Sequence, residues 1–378
     1  MLETLLSVFF WFVIIIGGTI ILGFFWQWFY GASTSQDETI YFRTEDGWRL
    51  ALHRYCLRDH AVGLPVVLCH GLSANRYVFE IPGAPSLADF LRKNGRDVWV
   101  AELRGSGMSE RPGFRHSDVP YSWDFEDHLR HDVPAIIDCV LTRTGASRVH
   151  WVGHSMGGLL ILAHLASHSN SQVASAITLG SHTDFSSMDS GIFEPLLKLR
   201  WLLKRLPISP LPFLGKMFTP LAPWVPSLLL GTFNPNNITP TAARKIVALA
   251  AEPLSPTELW LDFGRFLETG VFGPENGTPY LTGLNRSNVP IFLMGGSKDR
   301  MAPPEAVNAD CEEIEKCMER KHLILGKNSG FVEDYGHMDL LVGIRAMTEV
   351  FPSILAWLER HEDPGLEQEE SELPATPV

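Results

Sequence analysis

Short apolar runs alternate with amphipathic segments from about residue 64 onward. The runs predicted as strands are Leu64–Cys69, Asp97–Glu102, Arg148–Gly153 and Ala174–Gly180, and the segments predicted as helices are Ser86–Lys93 and Phe125–Arg143. Strands that alternate with helices in this way form a mostly parallel sheet, with right-handed crossovers and helices on both faces. The chain has 378 residues, which is enough for one large domain of this α/β class with an inserted subdomain.

The same pattern is preceded by a hairpin and interrupted once. Thr39–Arg43 and Trp48–Tyr55 alternate in polarity on either side of an Asp-Gly turn, which indicates two antiparallel strands. The alternation stops after Gly180 and resumes with the strand Val289–Gly295. We therefore predict a domain over residues 37–361 with a helical cap inserted at about 182–288. A helix near 305–320, a strand over 321–325 and a helix from about 340 to 361 complete the domain, and residues 362–378 form an acidic, disordered tail.

The first 36 residues read as a membrane anchor. No charged residue occurs from Thr4 to Gln36, and Leu5–Tyr30 is almost wholly apolar. A helix of that length would reach roughly 39 Å at about 1.5 Å per residue, which exceeds the hydrocarbon core of a bilayer, roughly 30 Å. The sequence thus predicts an N-terminal transmembrane helix in a single-pass membrane protein. The alternative is a cleaved signal peptide, but the apolar stretch is longer than the usual hydrophobic region of such peptides and no Lys or Arg precedes it. The short flanks of the predicted helix leave open on which side of the membrane the folded domain lies.

Charge excludes one class of partner. The formal net charge is -12, so the chain lacks the basic surface that nucleic-acid binding requires. We expect no nucleic-acid partner, and the sequence leaves the oligomeric state open.

A serine lies between a predicted strand and a predicted helix. The sequence Gly-His-Ser-Met-Gly over 153–157 follows the apolar strand and precedes the helical segment 158–164. A serine hydroxyl becomes a useful nucleophile when a tight strand-to-helix turn holds it exposed, and flanking glycines let such a turn close. Ser155 is the predicted nucleophile. The backbone N–H of Met156, at the helix amino terminus, is a predicted oxyanion donor.

A second oxyanion donor is expected after the strand that ends at Cys69. The sequence His70-Gly71-Leu72 follows it directly, and the Leu72 N–H is the candidate. His70 is an alternative general base, but a histidine at this place in such folds shapes the loop.

In folds of this kind the catalytic residues follow one another along the chain in the order serine, acid, histidine. We therefore expect the acid and the base on loops that come after Ser155. Asp299 lies in a proline-closed loop after the strand 289–295, and Asp184, after the preceding strand, is the alternative acid. His337 follows a glycine and precedes the last helix, so it is the predicted base. Asp339 fits a carboxylate at a helix amino terminus better than a catalytic partner.

Together these motifs resemble the α/β-hydrolase superfamily, most closely the lipase and esterase branch that includes the acid lipases. The residues that carry the resemblance are 44–47, 70–72, 86–91, 97–99, 104–105, 153–157, 296–299 and 336–339, and the similarity extends over about Thr39 to Arg360. Polyhydroxyalkanoate synthases share much of this layout with a cysteine nucleophile, whereas this chain has Ser155, which argues against polymerisation.

The resemblance and the residues imply hydrolysis of a hydrophobic carboxylic ester through an acyl-enzyme on Ser155, without metal or organic cofactor. The predicted cap carries apolar runs at 192–197, 201–203, 211–214 and 228–230, which would suit a lipid or another hydrophobic ester as substrate. Lys198, Arg200, Lys204, Arg205 and Lys216 interleave with them and would suit a lid on anionic lipid or a solvated face. Acyl transfer by the same residues, or an inactive membrane-tethered lipid-binding protein, are the alternatives.

Overall fold

In the part of the chain that the structure describes, eight strands form one sheet. The computed structural model describes residues 2–31, 35–56, 61–111, 121–168, 172–187, 208–209, 216, 219–224, 232–252, 255–314, 317 and 319–362. The strands are β1 (Glu38–Arg43), β2 (Arg49–Tyr55), β3 (Val66–Cys69), β4 (Val98–Glu102), β5 (Val149–His154), β6 (Val173–Leu179), β7 (Ile291–Gly296) and β8 (Arg320–Leu325). Their order across the sheet is β1-β2-β4-β3-β5-β6-β7-β8.

The sheet is mostly parallel, as the alternation predicts. Only β2 runs against its neighbours, β1 on one side and β4 on the other. All pairs from β4 to β8 are parallel. The loops that follow β3, β5, β6 and β7 therefore emerge at one edge, the carboxyl edge of the sheet, where ligands bind in open α/β folds.

Helices cover both faces. Helix α1 (Leu2–Tyr30) precedes the sheet in the chain. The longer helices that pack in the two cores of the sheet are α2 (Leu87–Lys93), α3 (Val133–Thr144), α4 (Met156–Ser167), α5 (Thr257–Thr269), α6 (Pro304–Glu313) and α7 (Phe351–Arg360). Successive strand residues point to opposite faces, so Val67 packs in one core with α3, α4 and α5, while Val66 and Leu68 pack in the other with α2 and α7. This two-sided burial explains why the central strands are continuous apolar runs.

Several predicted helices differ from those observed. The helix predicted over 125–143 begins with the short turn Phe125–Asp127 and widens into a π turn at His128–Asp132 before α3. The last predicted helix is three pieces, Asp339–Val342, Ala346–Glu349 and α7, because Gly343 has extended backbone angles and Pro352 cannot continue an earlier helical ladder. Helix α6 ends at Glu313, earlier than expected.

The first residue of the predicted tail is bound to the domain. Glu362 accepts a hydrogen bond from the Leu64 N–H at 2.7 Å and forms an ion pair with Arg96. The prediction that the tail begins at 362 is therefore wrong at this residue, because Leu64 and Arg96 hold its carboxylate to the domain. Residues 363–378 lie outside the described part of the chain.

The amino-terminal segment is helical over Leu2–Tyr30, as its apolar run suggests. Among the residues that the structure describes, no helix has the length and apolar character for a membrane crossing. The prediction of a transmembrane anchor over residues 1–36 in a single-pass membrane protein is therefore not supported.

The segment between β6 and β7 is described in parts. These include helix α5, the helix Pro240–Lys245 with the following π turn Ile246–Ala250, and a two-stranded pair of Ile208–Ser209 with Ser255–Pro256. Lys216, predicted to interleave with apolar residues on an exposed lid, is buried, with 2% of its surface accessible. The four apolar runs quoted above and Lys198, Arg200, Lys204 and Arg205 lie outside the described residues.

Candidate active site

Ser155 is the single residue between β5 and α4. Its backbone has φ 52° and ψ -120°, a conformation that non-glycine residues seldom adopt. Its hydrogen bonds to neighbouring elements include one from the Ser155 N–H to the Leu179 carbonyl at 2.9 Å and one from the Ser181 hydroxyl to the Ser155 carbonyl at 2.7 Å. Ser155 stays partly exposed between buried neighbours, so its side chain is presented at the amino end of α4.

Close backbone packing explains the two glycines that flank the serine. A Cβ atom on Gly157 would lie 2.2 Å from the Cys69 carbonyl oxygen, and one on Gly153 would lie 2.3 Å from the carbonyl of Gly157. Such distances exclude any side chain without backbone movement. The glycines therefore let the start of α4 approach the end of β3.

The loop after β3 lies against the serine. An ideal Cβ on Gly71 would be 2.8 Å from the Ser155 Cβ. His70 shapes this loop, because its Nε2 accepts a hydrogen bond from the Leu103 N–H at 3.2 Å and its Nδ1–H donates to the Gly71 carbonyl at 2.9 Å. Burial lowers the pKa of His70 to about 4, which keeps the ring neutral, as an acceptor nitrogen requires. Leu72, directly after Gly71, is thus beside the Ser155 turn.

His337 and Asp299 form a buried pair. His337 Nδ1 lies 2.7 Å from Asp299 Oδ2, and Asp299 Oδ1 accepts hydrogen bonds from the backbone N–H groups of Met301 and Ala302, both at 2.8 Å. Three contacts thus orient the carboxylate. The His337 Nδ1 must carry a proton to bond an ionised partner, which leaves Nε2 as the acceptor.

Gly180 brings this pair next to the serine turn. It has φ +62°, and a Cβ at this position would lie 2.9 Å from His337 Nδ1. The preceding residue, Leu179, accepts the Ser155 N–H. Leu179 and Gly180, which are consecutive at the end of β6, therefore contact the serine and the histidine respectively. The centroids of the His154 and His337 rings also lie 4.7 Å apart.

The alternative acid has other contacts. Asp184 Oδ1 accepts hydrogen bonds from the Ser186 N–H at 2.9 Å and the Ser186 hydroxyl at 2.5 Å. Asp299, by contrast, contacts the imidazole. Among the described residues, no group of three or more His, Cys, Asp or Glu side chains is arranged to hold a metal ion.

The sequence matches the family model described as alpha/beta hydrolase fold over residues 65–344. The chain belongs to the α/β-hydrolase family. Its relatives include human lipase member K, 25% identical over 84% of this chain and 86% of that protein, and human gastric triacylglycerol lipase, 26% identical over 83% and 86%. These matches place it in the lipase and esterase branch.

Solved structures agree on the fold. An esterase from Exiguobacterium antarcticum superposes with a TM-score of 0.54 at 18% identity, covering 85% of this chain and all of its own (100%). A membrane phospholipase A, described as a bacterial virulence factor, gives 0.54 at 16% identity and covers 97% of this chain and 99% of its own. At these identities the likeness concerns the fold alone.

Three residues of this α/β-hydrolase were not singled out as site residues by their sequence. His154 Nε2 lies 3.3 Å from the His337 carbonyl, so it supports the histidine turn; its place beside Ser155 is the available signal. Asp339 begins a helix, as expected, but its Oδ2 also accepts the Gly336 and Asn234 N–H groups at 2.8 and 2.6 Å. Burial raises the pKa of Asp339 to about 7. Glu252, a lone carboxylate after the apolar run 246–251, is the third, because its N–H donates to the Ser73 carbonyl at 2.8 Å in the loop after β3.

Proposed function

We propose that this α/β-hydrolase cleaves hydrophobic carboxylic esters as a serine esterase or lipase, through an acyl-enzyme on Ser155. The observation that carries the proposal is the buried His337–Asp299 contact at 2.7 Å. Leu179 and Gly180, at the end of β6, contact the Ser155 turn and His337 respectively, and Ser155 has a rare positive φ and is partly exposed. A serine, a base and an orienting acid on neighbouring loops are the parts that acyl transfer to serine requires.

In the proposed cycle, His337 Nε2 takes the Ser155 proton while the serine oxygen attacks the acyl carbonyl carbon. The developing oxyanion accepts hydrogen bonds from the Leu72 and Met156 N–H groups. His337 then protonates the departing alcohol, and water attacks the acyl-enzyme by the same route in the second half. Asp299 holds the imidazole in the required tautomer and stabilises the imidazolium.

The local electrostatics support this assignment of the oxyanion donors. Met156 is the first residue of α4, a helix of 12 residues. The amino end of a helix carries partial positive charge and N–H groups without intrahelical partners, so a negative oxygen there is stabilised. Leu72 follows Gly71, whose close approach to Ser155 brings the second donor to the same place.

A hydrophobic substrate is supported by the relatives and by the inserted segment. Gastric triacylglycerol lipase is named for a lipid ester, and it matches over most of both chains. We propose that the segment of about 182–288 is a cap over the site. Its described parts contact the site loops, since Asn234 donates to Asp339 and the Glu252 N–H donates to the Ser73 carbonyl at 2.8 Å.

The test is ester turnover by the full chain, with Ser155→Ala as the paired variant. We expect p-nitrophenyl esters to be hydrolysed, longer acyl chains to have lower KM, and Ser155→Ala to lower turnover by several orders of magnitude. Turnover that survives in Ser155→Ala would contradict the proposal. A labelled ester with added glycerol separates the outcomes further, because acyl transfer would yield labelled glyceride in place of the free acid.

A further inference from the structure

A buried carboxylate of the cap contacts the loop beside Ser155. Glu252 follows the π turn Ile246–Ala250 and has 3% of its surface exposed. An isolated carboxylate at such depth is strongly unfavourable unless donors surround it. The hydrogen-bond donors around Glu252 therefore indicate which parts of the chain it holds in place.

Glu252 contacts the loops that follow β3 and β4. Its Oε1 accepts hydrogen bonds from the Asn75 side-chain amide at 2.7 Å and from the Gly107 N–H at 2.8 Å. Its Oε2 accepts one from the Arg111 guanidinium at 2.5 Å. The backbone N–H of Glu252 donates to the Ser73 carbonyl. One residue thus joins the cap to two loops that are far from it in the sequence.

Leu72 lies between two fixed neighbours in this arrangement. Gly71, on one side, packs against Ser155, and Ser73, on the other, has φ 51° and is bound by the Glu252 N–H. Asn75 donates from the same amide nitrogen to the Leu249 carbonyl at 2.9 Å, so the cap holds this loop at a second point. The direction of the Leu72 N–H therefore depends on contacts that the cap supplies.

Two cations adjoin the carboxylate. Arg111 binds it directly. Burial lowers the pKa of Lys216, which also lies in the inserted segment, to about 8, and the nearby Glu252 carboxylate opposes this shift. Burial raises the pKa of Glu252 itself, against the opposing effect of Arg111. Arg111 and Lys216 both favour the ionised acid, whose oxygens can accept all three of the hydrogen bonds described.

We propose that Glu252 is a positioning residue for the oxyanion hole. It ties the cap to the loop that carries Leu72 and so holds the Leu72 N–H toward the oxygen that becomes negative. This inference rests on the proposed function, because it takes Leu72 as an oxyanion donor. The cap then contributes to the chemical step through a residue that need not touch the substrate.

The test uses Glu252→Gln in the full chain. The amide retains the size of the side chain and one acceptor oxygen, but its NH₂ group faces donors of the network. We expect kcat for a short p-nitrophenyl ester to fall about 10- to 100-fold, with KM within about 3-fold, because small misplacement of an oxyanion donor weakens only the transition state. The affinity for a trifluoromethyl ketone, which binds serine as an oxyanion, should fall by a similar factor.

Asp97→Asn is the matched control. Asp97 is also buried and bonds Arg54 through both oxygens at 2.8 Å, but it precedes β4 at the opposite edge of the sheet. It should alter the thermal midpoint without altering kcat or inhibitor affinity. If Glu252→Gln does not fold, Asn75→Ala removes the donor from the loop side and should give the same loss of kcat.

The outcomes are separable. Wild-type kcat in a folded Glu252→Gln enzyme would overturn the inference, as would a rise in KM alone or failure of both network variants to fold. If Ser155→Ala abolishes turnover while Glu252→Gln does not alter it, only the positioning role fails. If Ser155→Ala retains turnover, the proposed function fails first.

Discussion

His337 Nδ1 and Asp299 Oδ2 lie 2.7 Å apart, although the two residues are 38 positions apart in the chain. The loop after β7 brings the acid and the turn before Asp339–Val342 brings the histidine. Asp299 is held by two backbone N–H groups, so its free oxygen is directed at the imidazole. This oriented contact fixes which imidazole nitrogen can act on a neighbouring hydroxyl.

Asp299→Asn should reduce kcat about 10⁴-fold with little change in the fold, because an amide stabilises the wrong imidazole tautomer. Asp184→Asn is its matched control, since the Asp184 side chain accepts hydrogen bonds from Ser186. Steady-state kinetics on one ester checks both variants. If Asp184→Asn proved the damaging change, the acid would have to be reassigned.

Gly157→Ala should disturb both stability and catalysis. The new methyl group would lie 2.2 Å from the Cys69 carbonyl oxygen, so the start of α4 must move away from β3. We expect the free energy of unfolding to fall by about 3 kcal/mol and kcat to fall with it. Chemical denaturation and ester turnover measure the two effects.

Gly18→Ala is the control for that substitution. Gly18 lies in α1 with no heavy atom within 4 Å of its ideal Cβ position. Replacement should leave kcat unchanged and raise stability by about 0.5–1 kcal/mol, the usual gain for alanine over glycine in a helix. Equal damage from both variants would contradict the steric account.

His70 makes a definite contribution to the pH dependence of stability. Burial lowers its pKa from 6.5 to about 4, so the unfolded chain binds the proton first as the pH falls. The stability due to neutral His70 is therefore complete above pH 6.5 and is lost as the pH falls toward about 4, at up to about 1.4 kcal/mol per pH unit.

The measurement for His70 compares the wild type with His70→Gln. Glutamine can accept the Leu103 N–H without titrating, so the difference in unfolding free energy between the two proteins isolates this one group from the other buried acids and histidines. We expect the wild-type advantage to shrink from pH 6.5 to 4. Parallel stability curves over that range would show that His70 is not buried in its neutral form.

Much of the fold follows from local sequence pattern. The continuous apolar run of β3 indicates a strand buried on both faces, and the alternation of polar and apolar residues in β1 and β2 indicates strands buried on one face. Helix α2 even shows its start, where Ser86 accepts a hydrogen bond from the Asp89 N–H at 3.1 Å. The π turn at His128–Asp132 could not be foreseen, since the apolar spacing around it reads as one regular helix.

Site contacts that depend on tertiary structure were harder to predict. The strand-to-helix turn at Ser155 could be predicted because it needs glycines nearby in the chain, and the loop positions of Asp299 and His337 because strand order limits them. Glu252 lies 177 positions from Asn75, and neither residue has a local pattern that signals the contact. The apolar character of the amino-terminal helix, in turn, suggested a membrane crossing that the described residues do not support.

Mass mapping of the covalent adduct tests the central claim most directly. The full chain is treated with a fluorophosphonate, digested and sequenced by mass spectrometry, with Ser155→Ala treated in parallel. We predict a single stoichiometric adduct on Ser155, absent from Ser155→Ala, because only a serine activated by a neighbouring base reacts readily. An adduct on another residue, or labelling that persists in Ser155→Ala, would contradict the assignment of Ser155 as the nucleophile.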